Sequence, residues 1–110
     1  MVLIMYNPDF WAVVKITGDD PHYRVFGSWT GGYTYGSSWR MNSGITSVSI
    51  DNDYFLFTGS SGSVYKCHKS AYGVHYGSRS EFDYYINNSD GKITMMPEET
   101  NWSEVDWIIS

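Results

Sequence analysis

The sequence predicts a mainly β fold of the α+β class: an antiparallel meander forming a partly open barrel, or a curled sheet, with one short helix. Three observations carry this. Apolar residues alternate with a period of two over several short stretches, the repeat of strands with one buried face. Clusters of Gly, Asn, Asp and Ser separate those stretches at hairpin spacing. One stretch only, residues 80–88, carries an apolar stripe at helical spacing.

Residues 1–6 read as a short apolar strand closed by Asn7-Pro8-Asp9. From 10 to 17 the chain alternates, with Phe10, Ala12, Val14 and Ile16 on one face and Trp11, Val13, Lys15 and Thr17 on the other. Gly18-Asp19-Asp20-Pro21 is a turn, and residues 22–29 return as the second arm of a hairpin. Residues 30–44 lack a regular period, with room for a short strand at 38–41. Residues 45–50, 54–58 and 63–68 form the strongest strand series, a meander joined by Asp51-Asn52-Asp53 and Gly59-Ser60-Ser61-Gly62. Tyr54-Phe55-Leu56-Phe57 is apolar on both faces, which predicts a central strand covered on both sides. In the helix at 80–88, Ser80 is the expected N-cap, Glu81 and Asp83 favour the positive end, and Phe82, Tyr85 and Ile86 share a stripe. Asn88-Ser89-Asp90-Gly91 stops it, and 92–96 is a strand halted by Pro97. Residues 100–109 fit a strand through Val105, Trp107 and Ile109, and a helix stripe through Trp102, Val105 and Ile109; the strand is favoured. No linker or low-complexity run divides the chain, so residues 1–110 form one domain.

Composition narrows the function. With 42% hydrophobic and 17% charged residues, the chain is too apolar to be disordered. A net charge of −5 opposes generic nucleic-acid binding, which needs clustered Lys and Arg on phosphate. The lone cysteine, Cys67, fits a reducing cytosol, and the first residues carry no basic region of a signal peptide. No apolar run approaches the ~20 residues of a membrane span. The glycosylation patterns at Asn87 and Asn101 are then chance, and a cytoplasmic location is expected.

The candidate chemistry is sparse. Gly62-Ser63-Val64-Tyr65-Lys66 is similar to part of a kinase glycine-rich loop, but the remaining kinase motifs and the P-loop ending are missing, and a plain hairpin turn accounts for it. Cys67 and His68 are strand neighbours facing opposite ways, and neither they nor His22 and His75 have metal-ligand spacing. Asp51 and Asp53 suit a turn; Glu98, Glu99, Glu104 and Asp106 suit a solvated face or a docking patch for a basic partner. No catalytic set, metal site or cofactor is therefore expected. The segment 27–46 stands apart. It holds Trp29, Tyr33, Tyr35 and Trp39, with glycines at 31, 32, 36 and 44, then Arg40, Asn42 and Ser43. Glycine admits a ligand close to the backbone, aromatic faces stack on flat rings, and Arg offers a fork to phosphate. These seven side chains are the candidate ligand site; an aromatic loop packed over the barrel end is the competing reading.

The pattern Trp39-Arg40-Met41-Asn42-Ser43-Gly44-Ile45, followed by Tyr54, Phe57, Gly59, Ser61-Gly62-Ser63, Tyr65 and Cys67-His68-Lys69, resembles small accessory proteins of tailed bacteriophages whose activity is unassigned. The resemblance spans residues 10–73 and carries over no site residue. It implies an anti-defence role in the host cytoplasm. The expectation is a non-catalytic protein that sequesters a small nucleotide-like signalling ligand. The alternatives are an acidic inhibitor of a host defence protein, anti-CRISPR-like, and a phage structural subunit. A homo-oligomer is left open.

Overall fold

The computed structural model describes residues 4–30 and 38–107. It is mainly β, with eight strands in two open four-stranded sheets and one α-helix. The strands are β1 (Met5–Tyr6), β2 (Phe10–Ile16), β3 (His22–Trp29), β4 (Ser38–Met41), β5 (Ile45–Asp51), β6 (Tyr54–Gly59), β7 (Val64–His68) and β8 (Ile93–Met95). A 3-10 turn (Tyr76–Ser78) leads into α1 (Arg79–Asn87). One sheet runs β1-β7-β6-β5 and the other β4-β3-β2-β8.

The predicted hairpin and meander both form. β2 and β3 pair antiparallel from Phe10↔Ser28 to Ile16↔His22. β6 lies between β5 and β7, antiparallel to each. Asn52 takes φ 56° in the first meander turn, a left-handed conformation that Asn tolerates and β-branched residues resist.

Alternation in β2 organises three layers. Trp11 and Val13 face the other sheet, where the Trp11 ring meets Phe55, Phe57 and Trp102 at 5.4–5.9 Å and Tyr72 at 4.7 Å. Its indole N–H donates to the His68 carbonyl at 2.7 Å, which ties the two sheets by a satisfied polar contact. Ala12 and Val14 point the opposite way, with Phe26, onto α1. There the fully buried Phe82 meets Phe26 edge-on at 4.9 Å.

Four expectations need correction. The strands covered on both faces are β2 and β3, not β6: Trp11 to Val14 and Val25 to Ser28 are all buried, whereas β6 turns Tyr54, Leu56 and Thr58 to an incompletely covered face. The apolar doublets of β6 fill one face with Phe55 and Phe57, while Lys66 and His68 pack against Tyr54 on the other. Residues 100–107 are neither strand nor helix; they turn beneath the sheets and insert Trp102 and Trp107, stacked at 6.3 Å and 10°, into the core. Residue 109 lies outside the described residues. The N-cap of α1 is Ser78, with no side-chain capping bond, so Ser80 already lies within the first turn. Finally, β1 pairs parallel with β7, Met5↔Val64 and Tyr6↔Tyr65, a long-range pairing that breaks the antiparallel pattern. Among the described residues no helix is long and apolar enough to cross a membrane.

Candidate anion-binding cleft

β4 carries the chain along the edge of one sheet, and Gly44 then turns it into β5 of the other. The crossover is held by Asn42. Its backbone N–H donates to the Val25 carbonyl at 3.1 Å, and its side-chain Oδ1 accepts from the Val25 N–H at 2.8 Å. A side chain thus extends the β3 ladder where β4 has ended. The β6–β7 turn closes over it: Ser60 N–H donates to Gly44 O at 2.8 Å, and Ser61 N–H to Ser43 Oγ at 2.9 Å. Glycine at 59 eases this approach, since a Cβ there would stand 3.1 Å from Ser43 Oγ and 3.4 Å from Asn42 Nδ2 and press Ser43 aside by a few tenths of an ångström.

Between β1, the crossover and this turn lies a cavity of about 510 Å3. Arg24, Arg40, Asn42 and Ser43 line one side; Tyr6, Tyr65 and the Ser61-Gly62-Ser63 turn line the other. Among the described residues no carboxylate lines it. The Arg40 guanidinium lies 4.8 Å from the Tyr6 ring centroid, and Tyr6 in turn leans on Tyr65 at 4.9 Å. Arg24 Nε donates to His22 Nε2 at 3.0 Å. His22 Nδ1 faces the Asp20 carbonyl at 2.6 Å; a carbonyl only accepts, so Nδ1 carries the proton and Nε2 is free to accept from Arg24. Among the described residues the ion pair Arg79–Asp83 is the one salt bridge, so neither cleft arginine is neutralised by a carboxylate. On a chain of net charge −5, two of its three arginines share this concavity. Burial pushes the Tyr65 hydroxyl up to about 12 against the opposing pull of Arg40, so it stays protonated at neutral pH.

Of the expected site residues, Arg40, Asn42 and Ser43 converge in this cleft. Trp29 stands behind it: its indole N–H donates to Asn7 O at 3.0 Å and its ring meets Tyr6 edge-on at 6.5 Å. Trp39 does not join them. β4 is a regular strand, so Trp39 and Arg40 point to opposite faces, and Trp39 stacks on Phe26 at 5.1 Å and 13° on the helix side. Tyr33 and Tyr35 lie outside the described residues. Sequence reasoning missed Tyr6, Arg24, Tyr65 and the serine turn. Arg24 had a signal, a lone arginine between the apolar faces of Tyr23 and Val25; the others are gathered by long-range pairing.

Cys67 is fully buried, and burial pushes its thiol well up, away from the reactive thiolate. Among the described residues no three His, Cys, Asp or Glu side chains cluster as a metal site. No family model, curated protein or solved structure matches this chain.

Proposed function

We propose that this protein is a non-catalytic binding protein whose cleft sequesters a small nucleotide-like ligand by its phosphate. The observation that carries the reading is the pair Arg24 and Arg40, without carboxylate partners among the described residues, in a cavity also lined by the hydroxyl-bearing residues Tyr6, Ser43, Ser61, Ser63 and Tyr65. Guanidinium forks and hydroxyl donors suit the several acceptor oxygens of phosphate. At about 510 Å3 the cavity has the size of a small organic ligand's site, larger than a bare anion needs. The resemblance to tailed-phage accessory proteins gives this binding a purpose, removal of a signal molecule of host immunity. Thermal unfolding across a panel of mononucleotides and cyclic nucleotides tests it. A ligand at 100 times its Kd stabilises the fold by about 2.7 kcal/mol, an easily measured rise in Tm. A panel in which no nucleotide raises Tm refutes the proposal.

A second reading, an inhibitor that grips a host defence protein, rests on a different observation. Trp39, 44% exposed, and Tyr84, 71% exposed, border an open groove of about 610 Å3 with Tyr85 and Ile93. Exposed aromatics around a groove favour a macromolecular partner.

A further inference from the structure

The cleft has a neighbour. A second cavity of about 280 Å3 lies between the β2–β3 turn and the start of β5. Pro21, His22, Ile45 and Trp107 contribute to its walls, and Asp20 stands at its side. Arg24 and Ser43 line both cavities, so the two are adjacent compartments with a shared wall.

The compartments differ in charge and surface. Among the described residues the larger is lined by Arg24 and Arg40 and by no carboxylate; the smaller shares Arg24 but adds Asp20, with Pro21 and Trp107 in its walls. A phosphate is favoured in the first, where two guanidiniums meet no opposing carboxylate; in the second Asp20 offsets Arg24, which suits an uncharged ring. They share one further property. Among the described residues only two buried side-chain polar atoms lack a hydrogen-bond partner, Asn42 Nδ2 and Trp107 Nε1. Asn42 is 3% exposed and lines the larger cavity; Trp107 is 7% exposed and lines the smaller. Both atoms are donors, and a buried donor left unpaired is costly enough that native structures rarely keep one. Each belongs to a residue that borders one compartment, so a ligand filling both would bring an acceptor towards each.

We propose that the two cavities form a single bipartite site for a nucleoside monophosphate, with the phosphate between Arg24 and Arg40 and the base against Trp107. Phosphate oxygens supply the acceptor near Asn42 Nδ2. A ring nitrogen or carbonyl of the base supplies the one near Trp107 Nε1. Asp20 lies where it accepts from an exocyclic amino group. Both orphaned nitrogens are sealed from bulk water, so the walls yield slightly as the ligand seats.

This inference rests on the anion reading above, and calorimetric titration separates the two. The probes are inorganic phosphate and the adenosine, guanosine, cytidine and uridine monophosphates. The expected result is that at least one mononucleotide binds tenfold or more tightly than phosphate. Trp107→Phe keeps an aromatic ring and deletes the donor; it should erase that preference and leave phosphate affinity unchanged, while the packing lost against Tyr23, Phe57 and Trp102 lowers the Tm of the unliganded protein. Ser60→Phe, at an exposed turn position lining the smaller cavity, should erase the same preference without touching the core, and stands in if Trp107→Phe does not fold. Phosphate binding with no preference for any mononucleotide, or a preference that survives both variants, overturns the bipartite site and leaves the anion reading standing. Binding of neither phosphate nor mononucleotide overturns both.

Discussion

Tyr72→Phe should be among the most damaging single-atom deletions in this protein. The Tyr72 hydroxyl accepts from the Val13 N–H at 3.2 Å and donates to the Met96 carbonyl at 2.5 Å. It thereby joins the 70–73 loop, the central strand β2 and the chain leaving β8. Burial pushes this hydroxyl up to about 12. Removing the oxygen leaves the Val13 amide without its acceptor at a residue of zero exposure. That orphaned amide costs about 1–3 kcal/mol, and the lost bond to Met96 about 1 kcal/mol more. Ring packing on Trp11 is retained, so the sum is about 2–4 kcal/mol. For a domain of this size that lowers Tm by roughly 10–25 °C. Urea unfolding followed by tryptophan fluorescence reads the free energy directly. A loss below about 0.5 kcal/mol would mean that water replaces the hydroxyl, and would refute the argument. The raised pKa adds a pH signature. A tyrosine whose folded pKa exceeds its unfolded value holds its proton more tightly when folded, so stability is complete below pH 10 and falls as pH rises from 10 through 12. Tyr65 and Tyr72 both contribute, and Tyr72→Phe should make that alkaline decline shallower.

The remaining predictions concern the site and the core. Arg40→Gln should weaken nucleotide binding about tenfold to a hundredfold, the worth of a charged hydrogen bond, while Trp39→Ala leaves binding unchanged because it sits on the opposite face; calorimetry on both decides. Phe57→Asp should unfold the protein by circular dichroism, since it places an unpaired charge at a residue of zero exposure between Trp11, Trp102 and Trp107. Cys67→Ser should bind ligand normally, and the native thiol should resist a thiol reagent that labels it promptly in denaturant. If the second reading holds, Tyr84→Glu should abolish capture of a protein partner yet leave nucleotide binding untouched.

Local pattern made the hairpin, the meander, the short β4 strand and the helix legible, because each depends on alternation, turn residues or a stripe within a few positions. The layer order was not legible. Trp11 to Val14 and Tyr54 to Phe57 are both four-residue apolar runs, and which is covered twice depends on where α1 docks. The site was legible only in part for a similar reason. Arg40, Asn42 and Ser43 were found because they are close in sequence. Trp39 was wrongly grouped with them because the glycine-rich stretch suggested irregular backbone where the chain is a regular strand. Tyr6 and Tyr65 are brought opposite them by a parallel pairing of segments almost sixty residues apart, which no local pattern encodes. Asn42 is among the expected site residues, yet its side-chain oxygen is committed to the Val25 N–H.

That parallel pairing also sets an order of events. β1 is two residues long, and its partner β7 is more than fifty positions further along the chain. The β2–β3 hairpin and the β5–β6–β7 meander are local and close early; β1 has nothing to pair with until the meander exists. It is therefore the last wall of the cleft to form and, with few hydrogen bonds to lose, the first to open. The Val64 N–H, which donates to the Ile4 carbonyl at 2.9 Å, should exchange with solvent deuterium faster than the Tyr65 and Cys67 amides of the same strand. A ligand bridging Tyr6 and Arg40 would slow that exchange, because fraying of the first strand and access to the cleft are the same motion.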